Sequence, residues 1–211
     1  GTGTLTLSGV NTYSGQTTVS GGTLKLGAAG AVPTGALTLG ADGTFDMNGF
    51  DQTVKGLFGS GSVLGGVTTL TVNSASDSTF AGVISAGNLA KEGVGTLTLS
   101  GMNTYTGLSS IRGGVLKMGA NGVLASKSSV QITSGSFDLA DTDQTIGWLN
   151  GTGDVTLGSG TLTTGTLNLG GIYAGVISGT GSLVKIGTGT FTLMGSNTYS
   201  GGTTVNGGTL K

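Results

Sequence analysis

One long stretch, written almost three times over, constrains this chain more than any other feature. "GTGTLTLSGVNTYSGQTTVSGGTLKLG" fills residues 1–27, "GVGTLTLSGMNTYTGLSSIRGGVLKMG" fills 93–119 and "GTGTFTLMGSNTYSGGTTVNGGTLK" fills 187–211. The first two agree at 17 of 27 positions, and the likeness continues beyond them: "FDMNGFDQTVKGLFGSGSV" at 45–63 returns as "FDLADTDQTIGWLNGTGDV" at 137–155, and "FAGVIS" at 80–85 as "YAGVIS" at 173–178. The chain therefore reads as two units, 1–92 and 93–186, and the start of a third, 187–211. A closed sandwich or barrel gives each strand its own environment. Only a solenoid returns the same environment at a fixed interval and so lets a repeat persist.

The local pattern decides what kind of solenoid. In "GTLTLSG" Leu5 and Leu7 flank Thr6, and in "GGTLKLG" Leu24 and Leu26 flank Lys25, an alternation that makes one face of a strand apolar. Similar short pieces recur, each bounded by Gly, Asn, Asp or Ser, which are turn residues. With 46 Gly in 211 residues, nearly every helical window is interrupted, at about 1 kcal/mol for each interior Gly relative to Ala. The expected fold is all-β: a right-handed parallel β-helix, or β-solenoid, with roughly 20–25 residues per coil and about four coils per unit. About nine coils spaced by the inter-strand distance make a rod of about 40–45 Å.

Repeat positions then acquire roles. Leu5, Leu7, Leu97, Leu99, Phe191 and Leu193 are expected to point into the core, and Thr6, Thr98 and Thr192 outward. Tyr13, Tyr105 and Tyr199 sit in "NTY[ST]G" turns, where a recurring aromatic reads as corner packing. Asn11, Asn103 and Asn197 are expected to satisfy backbone groups in the same turns.

Composition removes whole classes of partner. Eight basic and nine acidic residues, with no run of one sign, leave no footprint for phosphate neutralisation, so no nucleic acid is expected. The single Pro excludes collagen, and aliphatic residues with a positive mean hydropathy argue against disorder. No apolar run reaches the length of a membrane-spanning helix. Cysteine is absent, which suits a chain that crosses a pore unfolded. Gly1 stands where a Met would begin a complete chain, and the repeat breaks off at the same phase at both ends. The expectation is a piece of a longer polypeptide whose uncapped coils favour end-to-end self-association.

The combination of Gly-Thr-Leu-Thr-Leu, Asn-Thr-Tyr, Gly-Gly and Thr-Leu-Lys closely resembles the passenger-associated transport repeat, also called the autotransporter-associated β-strand repeat, of Gram-negative autotransporters. The resemblance covers essentially the whole chain, "FDMNGFDQTVKGLFGSGSV" being similar to the stretch found between such repeats. It implies an extracellular β-helical passenger at the Gram-negative outer membrane, exported with the help of a C-terminal β-barrel outside this segment. It also implies a stalk that folds stepwise during export and offers an adhesive surface toward a host or neighbouring cell. Two departures stand out: Arg112 occupies the place of Ser20 and Asn206, and Ala140-Asp141 replaces Asn48-Gly49, which leaves the shape of those turns open.

Catalytic chemistry finds little to work with. Without His or Cys there is no Ser-His-Asp or Cys-His nucleophile and no ordinary structural zinc site. Carboxylates are the remaining candidates, since β-helices also carry polysaccharide-degrading enzymes: Asp46 and Asp51 recur as Asp138 and Asp143, with Asp42, Asp141 and Asp154 nearby. The stronger reading of these residues is turn formation by bonding to local amides. Calcium binding by the same turns fits neither the EF-hand nor the nonapeptide spacing. An ice-binding ladder of Thr-x-Thr needs the motif in every coil, whereas "TLT" recurs mainly once per unit. The expectation is a non-enzymatic structural protein with no catalytic, cofactor or metal residues; a polysaccharide-degrading segment and a fibre subunit are the alternatives.

Overall fold

The computed structural model describes all of residues 1–211. It contains 25 strands and no helix, and therefore no helix long and apolar enough to cross a membrane. Strands pair in parallel within three sheets of 12, 9 and 4 strands, and the chain winds through about ten turns of a β-solenoid. Each turn is short. Thr44 pairs with Ser62, 18 positions on, and Val155 with Ile177, 22 positions on, the two ends of the observed range.

The alternation seen in the sequence becomes columns of stacked side chains. Leu5, Leu24, Phe45, Val63 and Ile84 are successive register partners, and Leu97, Leu116, Phe137, Val155 and Ile177 form the corresponding column. Corresponding members lie 92 positions apart, 93 for the last pair. One unit thus supplies five levels of this column where four were expected, because the coils, 18 to 22 residues long, run shorter than the 20–25 anticipated. All but Leu5 are buried, and they join a single apolar core that extends from Val19 to Phe191.

Leu97, Leu99 and Phe191 are buried as expected, while Leu7 and Leu193 are half-buried against the same core. Leu5 departs from the expectation: it is 60% exposed. It belongs to the first strand, Thr4–Leu7, which pairs only with Thr17–Leu26, so nothing covers its other side. Thr98 and Thr192 are half-buried and Thr6 exposed, consistent with an outward face.

The turn that the Ala140-Asp141 replacement left open keeps its shape. Asn48 and Gly49 have φ of 47° and 87°, Ala140 and Asp141 49° and 68°. The side chain two residues earlier holds both: Asp46 Oδ1 accepts from the Asn48 N–H at 2.9 Å, and Asp138 Oδ1 from the Ala140 N–H at 2.8 Å.

Candidate functional site

The acidic residues singled out in the sequence are spread along the rod and engaged with backbone. Asp51 Oδ1 accepts from the Thr69 N–H at 2.8 Å, and Asp143 Oδ1 from the Thr161 N–H at 2.7 Å. Asp141 holds the Ser159 N–H at 2.8 Å and Asp154 the Val176 N–H at 3.2 Å. Asp46 and Asp138 combine their turn bonds with ion pairs to Lys25 at 3.1 Å and Lys117 at 3.8 Å; Asp42 makes no comparable bond. No group of three or more His, Cys, Asp or Glu side chains converges. These carboxylates mostly bridge one coil to the next and satisfy N–H groups that a turn leaves open.

The outward Thr column is interrupted at once. Thr6 pairs with Lys25 and Lys25 with Asp46, and Thr98, Lys117 and Asp138 follow the same order. A charged pair thus stands where an ice-binding ladder needs further threonines.

The Asn-Thr-Tyr corner is a connector, most complete in the middle copy. The buried Asn103 accepts the Ile84 N–H of the preceding coil on Oδ1 at 2.8 Å and donates from Nδ2 to the Val123 carbonyl of the following coil at 3.1 Å. The Val123 N–H donates in turn to Oε1 of the buried Gln144 at 3.1 Å, so two amide side chains tie four coils into one line of bonds. Asn11 bonds the Ala31 carbonyl at 2.7 Å, and Asn197 accepts from the Ile177 N–H at 2.9 Å. Each repeat tyrosine meets a hydroxyl four residues on: Tyr105 reaches Ser109 at 2.7 Å, Tyr13 reaches Thr17 at 2.7 Å and Tyr199 reaches Thr203 at 2.6 Å. Only Tyr105 is fully packed. Tyr13 is exposed and Tyr199 half-buried, because the packing that encloses the ring comes from coils on both sides. Burial raises the proton affinity of the Tyr105 phenol strongly, with the Ser109 bond opposing it.

A second connector escaped the sequence reading. Lys91 and Lys185 occupy inward positions of the strands Asn88–Glu92 and Ser182–Lys185 and are fully buried. Lys91 Nζ donates to the carbonyls of Glu92 at 2.7 Å, Gly93 at 2.9 Å and Gly113 at 3.2 Å. Lys185 Nζ donates to Ile186 at 2.6 Å, Gly187 at 3.1 Å and Gly207 at 3.2 Å. An ammonium has three donors, and here all three are used. Burial lowers the pKa of both lysines from 10.5; for Lys91, Asp77 and Glu92 pull the other way. The available signal was the strand pattern "LAKEG" at 89–93 and "LVKIG" at 183–187, which places a lysine at the phase reserved for core residues directly before each repeat.

The largest cavity, about 620 Å³, is the open side of the first coil, lined by Leu5, Leu7, Tyr13, Val19 and Leu24 among others. It is the uncovered end of the core.

Comparison with known proteins picks out the same repeated segments. The passenger-associated-transport-repeat family model matches residues 1–26, 89–118 and 183–211, segments of which the second and third begin just before the buried lysines and include them. Over its whole length the chain is 38% identical to the adhesin BmaC autotransporter of Brucella suis biovar 1 (strain 1330), of which it spans 6%. No solved structure matches.

Proposed function

The chain belongs to the passenger-associated-transport-repeat family of autotransporter passengers, and from that premise we propose that it is a surface-displayed stalk segment whose stepwise folding assists export across the outer membrane. Units 1–92, 93–186 and 187–211 form one β-helix segment of a passenger whose parent polypeptide carries a C-terminal outer-membrane β-barrel. The relative's designation as an adhesin supports an adhesive, non-enzymatic role outside the cell. Engagement of most of the candidate aspartates with backbone amides weighs against the polysaccharide-degrading alternative.

The observation that carries this reading is the reach of the connectors. Asn103 bonds residues 19 positions back and 20 positions ahead, and Lys91 bonds a carbonyl 22 positions ahead, each one coil away. A chain emerging from a pore completes these bonds in order, because each coil needs only its predecessor. Every docked coil buries apolar surface and opposes backsliding without nucleotide chemistry.

Thr98 and Lys117 are outward-facing register partners, so cysteines at both places are compatible with the folded rod yet close a loop in the unfolded chain. In the parent protein, Thr98→Cys with Lys117→Cys is expected to stall display under oxidising conditions and permit it under reduction. Equal display in both conditions would falsify passage as an unfolded chain. The open apolar side of the first coil favours a second property for the isolated chain, end-to-end association, which sedimentation across a concentration series measures.

A further inference from the structure

Four asparagines stand directly before a glycine: Asn48, Asn121, Asn150 and Asn206. Such a pair carries a reaction of its own, because a glycine, having no Cβ, leaves its main-chain nitrogen free to approach the side-chain amide carbon of the Asn before it. The fold treats the four differently. Asn48 donates from Nδ2 to the Leu26 carbonyl of the preceding coil at 2.8 Å, which ties its amide down. Asn121 is held twice by one residue: its Oδ1 accepts from the Asp143 N–H at 2.8 Å, and the Gly122 N–H donates to the Asp143 carbonyl at 2.9 Å. Asn150 lies inside the strand Trp148–Gly151, which is paired on both sides.

Asn206 has none of these restraints. Its side chain is exposed and makes no hydrogen bond, and the Gly207 N–H, in the turn between the strands Thr203–Val205 and Thr209–Leu210, has no acceptor. These are properties of the turn, not of the last coil. In the middle copy, whose strands are paired on both sides, Arg112 occupies the same place with its side chain 56% exposed, and the Gly113 N–H again has no acceptor. Only the third copy puts an Asn there. The first copy has Ser20 and the second Arg112, neither of which carries an amide to react.

We infer that Asn206 is a site of spontaneous deamidation, with water as the only co-reactant, and that the modification loosens one coil-to-coil connector. The Gly207 nitrogen gives its proton to solvent base and bonds to Cγ of Asn206, while Nδ2 takes up a proton and leaves as ammonia. The product is a succinimide ring. Water then opens the ring at one of its two carbonyls. Opening at Cγ yields aspartate; opening at the main-chain carbonyl leaves the chain running through Cβ and Cγ, as isoaspartate. Nothing is oxidised or reduced.

The position gives the product its effect. The Asn206 N–H donates to the Lys185 carbonyl at 2.8 Å, and the Gly207 carbonyl accepts from Lys185 Nζ at 3.2 Å, so one buried lysine grips the chain on both sides of the reacting bond. Isoaspartate lengthens the path between those two contacts by one C–C bond, about 1.5 Å, and both contacts cannot then keep their lengths. Aspartate keeps the spacing and adds only a charge at an exposed place. The inference concerns the folded chain alone and is independent of export and adhesion.

Trypsin separates the four pairs, because residues 26–55, 118–127, 128–185 and 186–211 form four peptides with one pair each. The folded 211-residue chain is incubated at mildly alkaline pH in water enriched in heavy oxygen, beside a portion unfolded in urea. Both are then digested briefly in ordinary water, so that only conversions during the incubation carry the label. In the folded chain, label is expected in 186–211 at least about tenfold faster than in the other three peptides, and in urea all four should convert at similar rates. Asn206→Ser, which installs the residue of the first copy, should abolish labelling of 186–211. Equal rates in the folded chain, faster conversion of another pair, or label on Asn197 instead of Asn206 overturns the site. The effect is read separately, by urea unfolding of the isoaspartate form isolated from the incubated folded chain, beside Asn206→Asp. A lower midpoint is expected for the isoaspartate form and a midpoint near that of the parent for Asn206→Asp. Coinciding midpoints would overturn the loosening of the connector.

Discussion

Lys91 Nζ reaches forward along the chain to the carbonyl oxygen of Gly113, 3.2 Å away and 22 residues later, and Lys185 does the same to Gly207. Two of each ammonium's acceptors belong to its own turn, and the third arrives only when the next coil docks. Lys91→Met keeps much of the apolar stem but takes the ammonium from three carbonyls, of which that of Glu92 keeps the Ser74 N–H at 3.2 Å. The expected cost is about 1–3 kcal/mol, read as a lower urea midpoint at unchanged slope. Lys185→Met should cost about as much, and the double variant should show the sum, since the two sites share no partners. An unchanged midpoint in all three would mean that the carbonyls find other donors and that the lysines do not hold the coils together.

Gly114 follows the turn that receives this bond and has a φ of +61°. A Cβ there would collide with the Gly95 carbonyl oxygen and stand 2.8 Å from Lys91 Nζ. Gly122 has nearly the same φ, +62°, but nothing within 4 Å of the corresponding Cβ position. Gly122→Ala therefore meets the backbone penalty alone, about 1–2 kcal/mol, whereas Gly114→Ala must also displace a neighbouring coil. Thermal melts of the two variants should differ clearly. Equal losses would show that the coils part at no cost.

Leu99 and Thr98 test the direction of the strand Thr96–Leu99. Leu99 is fully buried, and its neighbour Thr98 is half-buried on the outer side. Leu99→Asp places an unpaired carboxylate in the core and should cost at least about 4 kcal/mol, while Thr98→Lys should stay within about 0.5 kcal/mol. Similar melting of both would invert the assigned faces.

What was legible in the sequence depended on whether one repeat position shows its role without its neighbours. Leu97 and Leu99 did, because alternation alone turns them inward, and Asn103 did, because an Asn in a turn has few uses other than bonding backbone. Leu5 has the same local pattern as Leu97, yet its exposure follows from having no coil on one side, which alternation does not encode. Lys91 went unread, because a lysine at a core phase is not recognisable without its partners, and only the converging carbonyls of Glu92, Gly93 and Gly113 explain its burial. The departure at Arg112 stood out in the sequence, but the register that sets Ala90 beside Ser110 did not.

Ala140 offers a gain in stability. It holds a φ of 49°, in the left-handed region that strains a residue with a Cβ and that Asn tolerates, as Asn48 does at the equivalent place. Asn48 also donates from Nδ2 to the Leu26 carbonyl at 2.8 Å, a bond that Ala140 cannot make. Ala140→Asn is expected to add about 0.5–1.5 kcal/mol and raise the melting temperature by a few degrees. A lower melting temperature would show that the two turns are not equivalent.

The buried lysines and tyrosines make opposite contributions at alkaline pH, and the order of the two is the last prediction. Desolvation lowers the pKa of Lys91 and Lys185 below 10.5, so between the lowered values and 10.5 the unfolded chain binds more protons than the folded one. Their contribution to stability therefore rises with pH across that window. Tyr105 and Tyr173 are shifted the other way, mainly by burial and, for Tyr173, also by Asp154, so above pH 10 the unfolded chain gives up phenolic protons that the folded chain keeps. Their contribution is complete below that pH and is lost as pH rises through the folded values. Urea midpoints measured from pH 8 to 12 should hold or climb toward pH 10 and then fall. Lys91→Met with Lys185→Met should remove any climb, and Tyr105→Phe should soften the fall while lowering the plateau, since Ser109 loses its partner. A steady decline beginning near pH 8 would count against the lysine assignment, and an unaltered fall in Tyr105→Phe would remove Tyr105 as a source of alkaline instability.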